Sequence, residues 1–151
     1  MPQSLAQIYL HLVFSTKNRA AFLEDATVRE NMHKYLSGTC RNLESPSIAV
    51  GGVEDHVHIL CRQSKKLSVS QLIRELKRES SKWIKEKEAK LKQFYWQNGY
   101  GAFSISPSHV DALIEYIRNQ EEHHKKETFQ DELRRLCKKY GLELDERYCW
   151  D

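Results

Sequence analysis

The chain has 151 residues, with 24 Lys and Arg against 21 Asp and Glu, for a formal net charge of +3. That length suits one domain with a real core rather than two, and the absence of any apolar run near about 18 residues excludes a membrane-spanning helix. No secretory-signal pattern opens the chain, and the four cysteines, at 40, 61, 137 and 149, have neither CxxC pairing nor regular spacing. Zinc-ribbon and redox motifs are therefore excluded, and reduced thiols and a cytoplasmic location are expected.

In chain order, alternating apolar positions predict a first strand over 7–15, with His11 as a structural histidine, and Lys17 and Arg19 at its end. A helix over 24–42 follows, then strands over 47–51 and 56–62. Gly51-Gly52 and Glu54-Asp55 between them read as a turn, although Glu54 shares the strand face of the following histidines and is the acid placed to reach an imidazole N–H. The next helix runs from Ser68 to about 92, with Ser68 and Gln71 forming a capping box. Val69, Leu72, Ile73, Leu76, Trp83 and Ile84 make its apolar stripe, and Arg74, Lys77, Arg78, Lys82 and Lys85 recur opposite. Residues 65–92 carry ten Lys and Arg against four acids, whereas residues 1–64 balance at six and six. Such a face either is simply solvated or tracks phosphates.

One or two short strands are expected over 96–104, where Trp96, Tyr100 and Phe103 fit either core or base stacking. Asn98-Gly99-Tyr100-Gly101 is a hinge or a tight turn. A helix over 107–125 has Ser106 as N-cap and Pro107 at its first position. A last helix over 128–139 carries Phe129, Leu133, Leu136 and Tyr140 and stops near Gly141. The order βαββαβα suits an α+β, ferredoxin-like antiparallel sheet with helices packed on one face. It forms a single domain over 1–151 with a C-terminal helical extension from about 126.

Within this layout, His56 and His58 stand at i and i+2 on a strand, so both project to one face. Such a pair either merely packs on a half-buried strand or binds a divalent metal, and the pair alone does not choose the ion. On the 107–125 helix, Tyr116 and Gln120 lie one turn apart on one flank of the Val110, Leu113, Ile114, Ile117 stripe, and either serve one site or are an edge-of-core tyrosine and a solvated glutamine. His123 falls near the same flank.

Four blocks, His11-Leu-Val-Phe-Ser-Thr-Lys-Asn-Arg19, His56-Val-His58, Phe94-Tyr-Trp-Gln-Asn-Gly-Tyr-Gly-Ala-Phe-Ser104 and Tyr116-Ile-Arg-Asn-Gln120, occur in the order seen in transposases of the IS200/IS605 type. The chain resembles these single-tyrosine HUH nucleases over roughly residues 5–130. Its tail resembles the forms associated with repetitive extragenic palindromes. The resemblance implies the HUH fold, with Mg or Mn bound by His56, His58 and Gln120. Tyr116 is then the nucleophile that attacks a DNA phosphodiester and leaves a 5′-phosphotyrosine and a 3′-hydroxyl.

It further implies single-stranded DNA with imperfect hairpins as partner, and a homodimer whose tyrosine helices can be exchanged. Lys17, Arg19, Arg74, Lys77, Arg78 and Lys82 become DNA contacts, with plain surface charge the equal alternative for Lys17 and Arg19. Tyr140 and Tyr148, in the tail, are not expected to replace Tyr116. The expected activity is metal-dependent cleavage and strand transfer at hairpin-flanked sites. The alternatives are a hairpin-binding regulator on the same scaffold that does not cut, and an HxH hydrolase of small phosphoesters.

Overall fold

The computed structural model describes residues 3–147, 149 and 150; Tyr148 lies outside them. Its strands are β1 (Tyr9–Ser15), β2 (Ser47–Gly52), β3 (His56–Arg62) and β4 (Gly101–Ile105). Its helices are α1 (Ala26–Asn42), α2 (Val69–Lys87), α3 (Val110–Arg118), α4 (Gln120–His123) and α5 (Phe129–Lys139). The strands form one antiparallel sheet in the order β2-β3-β1-β4. This is the expected ferredoxin-like α+β sheet, but with helices on both of its faces and not on one, because β1 and β3 carry buried side chains on both sides. No helix among the described residues is long and apolar enough to cross a membrane.

Strand alternation sorts the side chains into two layers. Leu10, Leu12 and Phe14 of β1 and Val57, Ile59 and Cys61 of β3 meet Met32, Leu36 and Cys40 of α1 and Leu72, Ile73, Leu76 and Ile84 of α2. The two long helices thus share one face. On the other, Val13 and Phe103 pack against Phe129, Leu133, Leu136 and Cys137 of α5, and α3 lies over β2 and β3. Covered on both sides, β1 is buried from Leu10 through Ser15, which explains its nearly continuous apolar run.

The element ends follow local chemistry. Asp25 caps α1 by accepting from the Thr27 and Val28 amides, and the Ser68–Gln71 capping box opens α2 as expected. α2 stops at Lys87 and not near 92, because its apolar stripe ends at Ile84 and the chain turns back to bury Phe94 completely. The 96–100 segment contributes only a single bridge, Thr16 to Trp96, so β4 starts later than expected. Trp96 and Phe103 are core, while Tyr100 is exposed. Lys77 Nζ donates to the carbonyls of Gln97 and Gly99, both at 2.7 Å, making 97–99 a tethered connection and not a free hinge. The predicted 107–125 helix divides into a 3-10 turn (Pro107–His109), α3 and α4. Ser106 does not cap it; its Oγ lies 2.6 Å from His109 Nδ1.

Gly51 of β2 sits directly under α3. A Cβ there would lie 2.6 Å from the Ile117 carbonyl oxygen, whereas one on Gly38 of α1 would meet nothing within 4 Å. Gly51→Ala is therefore expected to lower the unfolding free energy by about 1–3 kcal/mol in denaturant melts. Gly38→Ala is expected to raise it by about 0.5–1 kcal/mol, through helix propensity alone.

Candidate active site

Neighbouring strands hold β3 on both sides, in the register Val13↔His58 and Gly51↔His58, so its two histidines stand on a rigid element. Both are fully buried on the face that α3 and α5 cover. Across from them, the Tyr116 ring lies 5.7 Å from that of His58, edge to face. Gln120 opens α4, and its Oε1 is 3.2 Å from His56 Nε2. Asn119 breaks the helical assignment between α3 and α4, but its amide still reaches the Glu115 carbonyl and its carbonyl receives the His123 amide. Tyr116 and Gln120 therefore keep the same outlook, as their spacing predicted. The four groups meet within one chain.

At the centre of the group is a residue that the motif pattern did not reveal. Glu132 of α5 is fully buried, with Oε1 at 3.1 Å from His56 Nε2, 2.9 Å from His58 Nε2 and 3.0 Å from His124 Nε2. Its Oε2 accepts from Gln120 Nε2 at 3.1 Å and from the Tyr116 hydroxyl. One signal for it exists in the sequence: Glu132 stands between Phe129, Leu133 and Leu136, an acid inside the apolar stripe of an amphipathic helix. His56, His58, His124 and Glu132 each present one ligand atom, all within 4.8 Å of one another, so this His/Glu cluster has the donors to hold a divalent ion.

The surrounding groups orient these side chains. Glu54 and Asp55 do form the β2–β3 turn, but it is Asp55, and not Glu54, that reaches an imidazole: Oδ1 lies 2.7 Å from His56 Nδ1. The turn breaks the alternation on which the strand argument relied. His11 stacks on His58, its Nε2 2.8 Å from His58 Nδ1. Arg135 Nη2 donates to the Tyr116 hydroxyl at 2.7 Å and also pairs with Glu127. His123 Nε2 lies 3.4 Å from the same hydroxyl. A cavity of about 550 Å³ opens beside Tyr116, lined by His11, Ser106, His109, Arg135 and Tyr140.

The basic residues fall in two places. Lys17 and Arg19 occupy a 3-10 turn after β1. Lys17 is exposed, and Arg19 borders a cleft of about 480 Å³ together with Asp55, His124 and Phe129. The α2 residues lie on the sheet face away from the histidines. Arg74 and Lys82 are exposed, while Arg78 is ion-paired with Glu75 at 2.6 Å and Glu79 at 3.0 Å. Lys77, expected as a phosphate contact, spends its ammonium on backbone carbonyls, and burial brings its pKa down to about 8. Arg74, Lys77 and Arg78 line a groove of about 420 Å³ that also displays Tyr95 and Tyr100.

Residues 4–120 match the family described as "Transposase IS200 like". Several solved structures share the fold, among them the following two. One is a protein of Deinococcus radiodurans R1 assigned as a transposase, 23% identical, with a TM-score of 0.64 over 80% of this chain and 95% of that one. The other is a REP-associated tyrosine transposase bound to a REP hairpin, 15% identical, with a TM-score of 0.59 over 82% and 73%. No curated protein matches the chain.

The cluster is electrostatically uneven. Burial disfavours charge on His56, but its hydrogen bonds to Asp55 and Glu132 overcome this and raise its pKa to about 9. Burial dominates at His58 and brings it down to about 4. Glu132 is buried too, yet the hydrogen bonds from His124, His56 and His58 hold its carboxyl far below the ordinary range. Burial, followed by the Glu132 charge, pushes the Tyr116 phenol above its usual value, and Arg135 opposes the shift. In chelator-treated protein, imidazole ¹⁵N shifts are expected to report His56 protonated and His58 neutral at pH 7. The raised His56 pKa stabilises the metal-free fold fully below about 6.5, and that contribution fades as pH rises through about 9.

Proposed function

Since the chain belongs to the IS200-like transposase family, we propose that it is a single-tyrosine HUH DNA transposase. It cuts and rejoins single-stranded DNA beside imperfect hairpins through a 5′-phosphotyrosine. The observation that carries this reading is the convergence of Tyr116 on His56, His58 and Gln120 within one chain. The relative bound to a REP hairpin supports hairpin DNA as the substrate class. A folded stem offers shape and phosphates for positioning, and its unpaired flank leaves the target linkage open.

The donor set fits a divalent cation: the Gln120 carboxamide oxygen faces His56 Nε2 at 3.2 Å, and a His58 nitrogen lies within 4.8 Å of a His56 nitrogen. His56, His58 and Gln120 would hold it, with Mg or Mn the ions the resemblance implies. When bound, such an ion supplies Lewis-acid polarisation of the scissile phosphate.

The chain's own groups do the rest. Tyr116 Oη attacks the phosphorus; an Oη–P bond forms, the P–O3′ bond breaks, and the departing 3′-oxygen takes up a proton. The phenol is protonated at neutral pH at its ordinary pKa near 10, and burial and Glu132 raise it further. Its hydroxyl donates to Glu132 Oε2, a contact that holds the oxygen in place without favouring loss of its proton. Arg135, at 2.7 Å from the hydroxyl, stabilises negative charge there as the proton leaves. The cavity beside Tyr116 admits the strand. A second 3′-hydroxyl then attacks the phosphotyrosine and releases Tyr116, so strands rejoin without a nucleotide cofactor.

Lys17, Arg19, Arg74 and Lys82 are the proposed DNA contacts, with Arg78 and Lys77 contributing less because their charges are already engaged. Incubating the protein with labelled hairpins from the flanks of its own gene, with Mn or Mg, is expected to give a covalent band on denaturing gels. Tyr116→Phe removes that band, and His56→Ala removes it while leaving hairpin binding within about threefold. Binding by wild type with no adduct on any hairpin supports the non-cutting regulator instead.

We propose a homodimer in which each site works within its own chain, since Tyr116 reaches His58 of the same chain. Verified mixed dimers of His56→Ala and Tyr116→Phe chains are then expected to recover no cleavage. Recovery would mean that the tyrosine helices exchange between subunits.

A further inference from the structure

His124 and Glu132 lie beyond the residues that match the family, which end at 120, yet both are built into the histidine cluster. Three imidazoles are each held by Nδ1. His56 faces Asp55 Oδ1 at 2.7 Å, His124 faces the Glu127 carbonyl at 2.7 Å, and His58 faces His11 Nε2 at 2.8 Å. Each is thereby turned so that Nε2 enters the cluster, which is how metal-ligating histidines are oriented.

All three Nε2 atoms converge on a single oxygen, Glu132 Oε1, at 2.9 to 3.1 Å. A carboxylate oxygen offers about two lone-pair directions, so three imidazoles on one oxygen exceed what hydrogen bonding alone uses. The other oxygen is separately occupied by Tyr116 and Gln120. Furthermore, both nitrogens of His56 and of His124 face acceptor oxygens. A cation between them answers all of these groups at once. The spacing fits: two donors each about 2.1 Å from one ion lie about 3.0 Å apart in an octahedral site and about 3.4 Å apart in a tetrahedral one.

We propose that Glu132 Oε1 and His124 Nε2 are ligands of the same ion as His56 and His58, so that the C-terminal segment completes the metal site. The proposal rests on the metal-site reading above and extends it in two ways. With the Gln120 carboxamide, the donor set becomes three imidazoles, a carboxylate and an amide oxygen, which selects a first-row transition metal over Mg, because Mg favours oxygen donors and retains water. Glu132 also divides its labour, with Oε1 on the ion and Oε2 on the Tyr116 hydroxyl, linking the nucleophile's proton to the metal site through one side chain. The cleft bordered by Arg19, Asp55 and His124 gives the ion an entrance.

The test is metal binding by the full chain, stripped with chelator and titrated with Mn(II), with free ion read by EPR and heat by calorimetry. Mg and Zn are titrated as competitors. Wild type is expected to bind one ion per chain, with Mg competing only at hundredfold or greater excess. Glu132→Gln and His124→Gln are each expected to weaken Mn binding tenfold or more, as His56→Ala does. If Glu132→Gln disturbs folding, seen as lost circular dichroism, His124→Gln carries the test, because that side chain lies at the cluster's edge and not in the core.

Unchanged or tighter Mn binding by Glu132→Gln and His124→Gln, with binding lost in His56→Ala, overturns the proposal. Glu132 then competes with the ion, and the transposase metal site stands without it. Mg binding as tight as Mn binding overturns the claim of selectivity. No binding of any ion by wild type overturns both this inference and the metal-site reading on which it rests.

Discussion

A carboxylate without a single exposed atom needs compensation from every side, and the arrangement around Glu132 is organised by that requirement. Its partners come from β3, α4 and the segment between α4 and α5, with the Tyr116 hydroxyl added from α3. One side chain thus ties the central sheet to every helix on its second face. Removing one partner of such a buried pair leaves an uncompensated charge, at a penalty of about 3–5 kcal/mol. Tyr116 is positioned by the same interaction that holds the C-terminal helix in place.

The two-layer division of side chains makes this possible. Phe14, Ile59 and their neighbours send the apolar half of the sheet into α1 and α2, a conventional core that stabilises the fold with no part in the chemistry. The opposite face is mixed: Val13 and Phe103 anchor α5 beside the buried imidazoles. Hydrophobic contact there brings Glu132 to its place, and polar contact fixes its rotation. Gly51 lets α3 approach β2 closely enough that Tyr116 reaches the same point.

Charge is distributed by a different logic. The basic stripe of α2 faces away from the cluster, and part of it is internally neutralised, by Glu75 and Glu79 at Arg78 and by backbone carbonyls at Lys77. The basic stripe of α2 and the buried histidine cluster of β3 therefore lie on opposite faces of the sheet. Arg135 donates to the Tyr116 hydroxyl, and it belongs to α5, not to the basic helix.

Periodicity and short motifs carried the sheet, the capping box of α2, the pairing of His56 with His58 and the shared outlook of Tyr116 and Gln120. Each of these depends on residues within a few positions of one another, where backbone geometry dictates direction. The early end of α2, the tether at Lys77 and the reach of Asp55 to His56 depended on distant neighbours or on a turn, which alternation arguments do not follow. Glu132 is the clearest case. In the chain it is an acid 12 residues beyond Gln120, marked only by its place in an apolar stripe. The sequence by itself determined the sheet and the local pairs, because those follow from strand and helix repeat. Only the tertiary structure decided that α5 closes over the histidines, because the burial of its stripe against Val13 and Phe103 is a contact between segments far apart in the chain.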